Sequence, residues 1–239
     1  MKRLALLPLV SALLFAGSAQ AHQVWLEQND KGANLYFGEF GDNLREASPG
    51  LLDKFVKPTA TLAGAKGEQQ LSLNKTSNAF ALSGRAGKNE TIFAEEASYP
   101  VIERKDGDKV VSRMVWTPAA RLVTSNAAVE PKLTLDIVPT GKEGEFKVTY
   151  KGEPLAKTKV GIIVQSGWGK EGWTDEQGIV SFDRPWQGTY VLEVHHTDKT
   201  PGERNGEKYD VASFVTTLSL NQPSGLKAVP AGPAATPNK

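Results

Sequence analysis

The chain has no cysteine in 239 residues, which excludes disulfide staples and thiolate metal ligands alike. Histidine is nearly as scarce: only His22, His195 and His196 are present. A transition-metal site would therefore use nitrogen and oxygen donors, a set suited to Cu(II), Ni(II), Co(II) or Zn(II). Charge of one sign is also lacking. The net charge of +1 leaves no basic footprint, so no nucleic-acid partner is expected. Beyond the N-terminus no apolar run approaches the roughly 20 residues of a membrane-spanning helix, and no membrane insertion of the mature chain is expected. The motifs HExxH, GxSxG and GxxxxGK[ST] are absent as well, so the chain is read as a binding protein rather than an enzyme.

What is present begins with a leader. Lys2 and Arg3 precede an apolar stretch from Leu4 to about Phe15, and small residues then lead to Ala19-Gln20-Ala21. This is the pattern of a secretory signal peptide over residues 1–21, cleaved after Ala21. The expected location is therefore periplasmic. The leader takes two positive charges and no acid with it, leaving the mature chain at −1. Its first residue would be His22, which then carries a free α-amine beside its imidazole.

The rest reads as short strands divided by glycine, proline, asparagine and aspartate, with 23 Gly and 14 Pro in all. Strands are expected at Gln23–Glu27, Ala33–Phe40, Thr59–Ala63, Gln69–Leu73, Ala79–Ser83, Thr91–Glu95 and Val101–Arg104. Asp106-Gly107 then signals a hairpin into Val110–Trp116. One short helix is expected near Pro49–Phe55, with Ser48 as its cap. A second series follows: Lys132–Ile137, Glu145–Tyr150, Lys159–Gln165, Ile179–Phe182, Thr189–His196 and Ser213–Leu220. The expected fold class is all-β, with two β-sandwich (Ig-like or transthyretin-like) domains at 22–128 and 129–220. Residues 221–239, rich in Pro and Ala, are expected to be a disordered tail.

Two resemblances add to this. Gly152-Glu153-Pro154-Leu155-Ala156, Thr174 to Phe182 and Gly188 to Val194 resemble the transthyretin-like, carboxypeptidase-regulatory type of β-sandwich. Ala21-His22-x-x-Trp25-Leu26, Tyr36-Phe37-Gly38-Glu39 and His196-Thr197-Asp198-Lys199-Thr200-Pro201, with Tyr209 and Thr216-Thr217-Leu218, resemble an exported family of unknown function associated with nickel and cobalt uptake. That resemblance implies a periplasmic metal-handling role, with a membrane metal-uptake transporter as a partner.

The candidate metal ligands are His22, His196 and His195. His22 offers two nitrogens on one residue, and Val24, Trp25 and Leu26 give it a strand to be anchored by. His195 and His196 must point to opposite faces of their strand. Parity with Tyr190, Leu192 and Val194 favours His196, with Asp198 orienting it. Glu39, Asp198 and Tyr209 are candidate outer donors, whereas Asp42, Arg45 and Glu46 read as a solvated loop cluster. Trp25, Trp116 and Trp186 read as packing residues. Trp168 and Trp173, in a glycine-rich stretch, are candidates for an exposed recognition loop or for a cover over the domain junction.

The leading expectation is a periplasmic protein that captures or delivers a divalent transition metal. A second is a copper-dependent oxidative enzyme, because an N-terminal histidine plus one more imidazole resembles the histidine brace of lytic polysaccharide monooxygenases. A third is a metal-free adhesion module working through Trp168 and Trp173.

Overall fold

Nine consecutive buried residues, Val115–Val123, mark the centre of the molecule. A strand buried on both faces shows no apolar–polar alternation, and this one is the end of Lys109–Val123. It pairs in parallel with Val211–Gln222, from Met114↔Val211 to Val123↔Leu220. A parallel pair cannot be closed by a hairpin; here the connection is the whole second half of the chain. The computed structural model describes residues 22–238, and the leader expected at 1–21 lies outside them.

These two strands sit in a nine-stranded sheet. On one side of the pair follow Gly188–Asp198, Lys159–Val164 and Gly169–Trp173; on the other, Thr91–Glu95, Thr59–Gly64 and Gly67–Leu71, while Ile102–Asp106 pairs with the start of Lys109–Val123. A five-stranded sheet holds Gln23–Asn29, Gly32–Glu39, Leu44–Arg45, Phe80–Leu82 and Leu73–Lys75. A four-stranded sheet holds Leu135–Pro139, Glu145–Tyr150, Glu153–Pro154 and Ile179–Ser181.

Alternation along the central strands sends side chains to two separate cores. Trp116, Ala120, Leu122 and Val215 pack with Val24, Leu26, Leu35, Phe37 and Phe80 of the five-stranded sheet. Val115, Val123, Phe214, Leu218 and Leu220 pack with Leu135, Ile137, Phe146 and Val148 of the four-stranded one. Neighbouring threonines repeat the division. Thr216 Oγ1 donates to Leu135 O at 2.7 Å, and Thr217 Oγ1 donates to Val24 O at 2.7 Å. The all-β expectation holds, and strands from both halves of the chain lie in the nine-stranded sheet.

Three local expectations change. In place of a helix over Pro49–Phe55 there is one 3-10 turn, Leu51–Lys54, its Asp53 carboxylate accepting from Ser48 Oγ at 2.7 Å and Gly50 N at 3.1 Å. The glycine-rich stretch with Trp168 and Trp173 is a tight turn leading into the edge strand Gly169–Trp173. Residues 223–238 form no regular element, yet part of that segment lies against the first sheet, as described next.

Candidate functional site

The first strand and its hairpin partner set the position of His22. Their register runs from Gln23↔Gly38 to Asn29↔Gly32, so the next residue outward, His22, comes opposite Glu39. After Glu39 the chain turns through Phe40 to Asn43, and Leu44–Arg45 pairs back onto Gly38–Glu39. Asn43 takes the left-handed conformation, φ 51°, that this residue type tolerates in turns. Glu46 N then donates to Phe37 O at 2.8 Å. Two carboxylates are thereby delivered to one imidazole.

His22 Nε2 lies 2.5 Å from Glu46 Oε1, and His22 Nδ1 lies 3.5 Å from Glu39 Oε1. Glu46 is fully buried at 0% exposure, contrary to its reading as part of a solvated cluster. The imidazole also leans on Phe37, with ring centroids 5.1 Å apart. Burial pushes the Glu39 carboxyl above its ordinary range, and contact with Asp42 and the charge of Glu193 add to this, while His22 opposes it. Glu193 is therefore within electrostatic reach of Glu39, and it accepts a contact from His195 Nε2 at 2.5 Å.

Trp25 fixes the strand that carries His22. It is fully buried with Phe40 and Val191, and its indole Nε1 donates to Glu27 Oε1 at 2.7 Å. Arg45 lies over Tyr36 at 4.7 Å and binds the same Glu27 at 2.8 Å. The C-terminal segment completes the surroundings. Asn238 N donates to Glu46 Oε2 at 2.9 Å, and Asn238 Nδ2 donates to Glu46 Oε1 at 2.6 Å and lies 3.2 Å from His22 Nε2.

The other sequence candidates lie elsewhere. Tyr190, Leu192 and Val194 face the second core, whereas Val191 faces Trp25 and Phe40. By parity Glu193 and His195 share the Val191 face, the one toward His22, and His196 takes the opposite one. There His196 packs on Tyr150, centroids 4.2 Å apart, and burial lowers its pKa. Asp198 bonds Tyr150 Oη at 2.7 Å, Lys151 Nζ at 3.0 Å and Thr200 N at 2.9 Å. Those bonds, the Tyr150 hydroxyl first, hold its carboxyl well below the usual range. Tyr209 lies in a small hairpin, Gly202–Arg204 with Glu207–Tyr209, at the margin of the second core. Trp168 meets Trp186 edge-on at 4.5 Å, and Trp173 is 66% exposed.

Sequence reasoning thus missed Glu46, Asp42 and Glu193. The available signal for Glu46 was the Gly41-Asp42-Asn43 turn, which folds the chain back beside Phe37. Among the described residues no three His, Asp, Glu or Cys side chains form a ready-made metal cage.

Fold and site together define an all-β protein whose first strand presents a histidine between two glutamates. The chain belongs to the DUF4198 family, a domain of unknown function, whose model matches residues 19–198. The matched segment includes all three histidines and both glutamates around His22. No curated protein and no solved structure matches the chain.

Proposed function

We propose that the mature protein binds a divalent transition-metal ion (nickel, cobalt or copper) through His22, outside the cytoplasmic membrane, as a capture or delivery component of metal uptake. The observation that carries this reading is the contact of His22 Nε2 with the buried Glu46 carboxylate. With a ring proton on Nε2, facing the accepting carboxylate, Nδ1 has a lone pair free for a metal. Nδ1 is the nitrogen that can chelate together with the α-amine of the same residue. An orienting carboxylate on the far nitrogen is the usual support of a metal-binding imidazole.

One residue then supplies two donors, which is how a site can exist without three clustered side chains. Glu39, 3.5 Å from Nδ1, offers an oxygen donor on that side of the ring. His195 and Glu193 stand on the same side of the central sheet. The uptake role rests on the sequence resemblance, and export rests on the leader. Affinity alone would not name the ion, because Cu(II) outcompetes the others at almost any nitrogen site.

The test compares protein beginning at His22 with protein carrying one extra methionine before it. In the extended form the His22 nitrogen is an amide and cannot coordinate as an amine, although every side chain remains. Titration calorimetry with Ni(II), Co(II) and Cu(II) should show about a hundredfold weaker binding, at or beyond the upper end of what losing an orienting partner costs. Equal affinity in the two forms, with equal melting temperatures without metal, would remove the amine from the site and sink the reading.

A further inference from the structure

At the far end of the first strand from His22 lies a cleft of about 490 Å³, bordered by Leu26–Gln28 and the ends of the central strands. Four to six residues at roughly 3.3 Å each put its wall about 13–20 Å from His22, and it does not depend on the metal-binding proposal. Two of its side chains have needs that the described residues leave unmet. Arg184 is only 9% exposed. The other buried arginine, Arg121, is locked to Asp136, whereas Arg184 has no carboxylate in contact: its guanidinium lies over the Phe146 ring at 5.9 Å and its hydrogen bond goes to the neutral amide oxygen of Asn126 at 3.2 Å. Glu143 acts on it only through charge at longer range. Ser219, at 1% exposure, lines the same cleft, and its hydroxyl has no hydrogen-bond partner.

A desolvated guanidinium without a carboxylate invites an anion from outside, and its planar fork suits carboxylate or phosphate. One cation beside a neutral amide, with Glu27 also on the wall, favours a singly charged group over a dianion. Leu26 and Leu122 give the cleft an apolar wall, and its size is that of a small-ligand pocket, about 300–1,000 Å³. We propose that this cleft binds a small organic carboxylate, with Arg184 and Asn126 holding the carboxylate and Ser219 bonding a polar group on the ligand body.

The experiment uses the chain from His22 to Lys239 and ligand-observed NMR with benzoate, hexanoate and 6-hydroxyhexanoate, each beside its amide, and with inorganic phosphate. The carboxylates should bind and their amides should not. Arg184→Gln should weaken binding at least tenfold. Asn126→Asp, which supplies Arg184 with an internal carboxylate, should abolish binding while the melting temperature holds or rises; it keeps the test decisive should the glutamine variant fold poorly. Ser219→Ala should weaken 6-hydroxyhexanoate more than hexanoate. The proposal fails if no carboxylate binds, if phosphate binds more tightly than the carboxylates, or if binding survives Asn126→Asp.

Discussion

His195 and His196 leave one strand on opposite faces, so their substitutions should separate cleanly. His195 stands with Glu193 on the side of His22, and His196 is packed on Tyr150. His195→Ala should weaken metal binding several-fold, and His196→Ala should change it less than twofold, both read by calorimetry. His196 instead links stability to acid. Folding lowers its pKa by burial, so the unfolded chain holds more protons in the window just below its unfolded value of about 6.5. Stability is complete above that value and falls as pH drops through it. His196→Phe should flatten this fall in urea unfolding between pH 7.5 and 5; an unchanged slope would show that the ring titrates freely. The alternation that places the two rings was readable in the sequence. Which face His22 would share was not, because that depends on how Trp25 and Phe40 dock on Val191. Glu46 was hidden for a related reason: burial of a charged residue next to Arg45 is a tertiary fact with no local pattern.

At the scale of elements, the central and four-stranded sheets are joined by a fully buried ion pair. Arg121 Nε and Nη2 bind the two Asp136 oxygens at 2.9 and 2.5 Å. Lys132, Leu133 and Ile137 donate backbone N–H groups to the same carboxylate. Every lone pair of consequence is satisfied, so breaking the pair leaves a buried charge alone. Asp136→Asn should cost about 3–5 kcal/mol in urea unfolding. The exposed pair Lys142–Glu145 should matter by less than about 1 kcal/mol when Lys142 is changed to Ala. Similar costs for the two would mean the buried carboxylate is hydrated or neutral. Most strands of the half-buried kind were legible, and Thr91–Glu95 has the bounds its pattern predicts. Lys109–Val123 was cut short at Trp116 because burial on both faces erases alternation, and Pro118 looks like a strand end. Its parallel partner lies some ninety residues on, beyond any local signal.

At the scale of the whole molecule, the C-terminal segment meets the start of the first strand. The C-terminal segment has few apolar side chains and no periodicity, so it cannot build a core and lies on the surface. It is nevertheless attached at several points near His22. Asn43 Nδ2 donates to Gly232 O at 2.9 Å, Ala235 N donates to Asn43 O at 3.4 Å, and Asn238 holds both oxygens of Glu46. Glu46 fixes the imidazole, so the segment supports the first strand's end indirectly and covers it from solvent. Ending the chain at Pro230 removes these contacts but keeps Leu226, which bonds Pro185 and Gln187. Each lost hydrogen bond is worth about 0.5–1.5 kcal/mol at most, and none belongs to either core, so the melting temperature should fall by no more than about 2–4 °C. The effect should fall instead on metal release. A hydrated Glu46 holds His22 less firmly, and a loss of about 1 kcal/mol corresponds to roughly a fivefold faster dissociation, measurable by stopped-flow chelator competition. Full-length and shortened proteins releasing metal at the same rate would show that Asn238 merely rests on a site that Glu46 holds unaided.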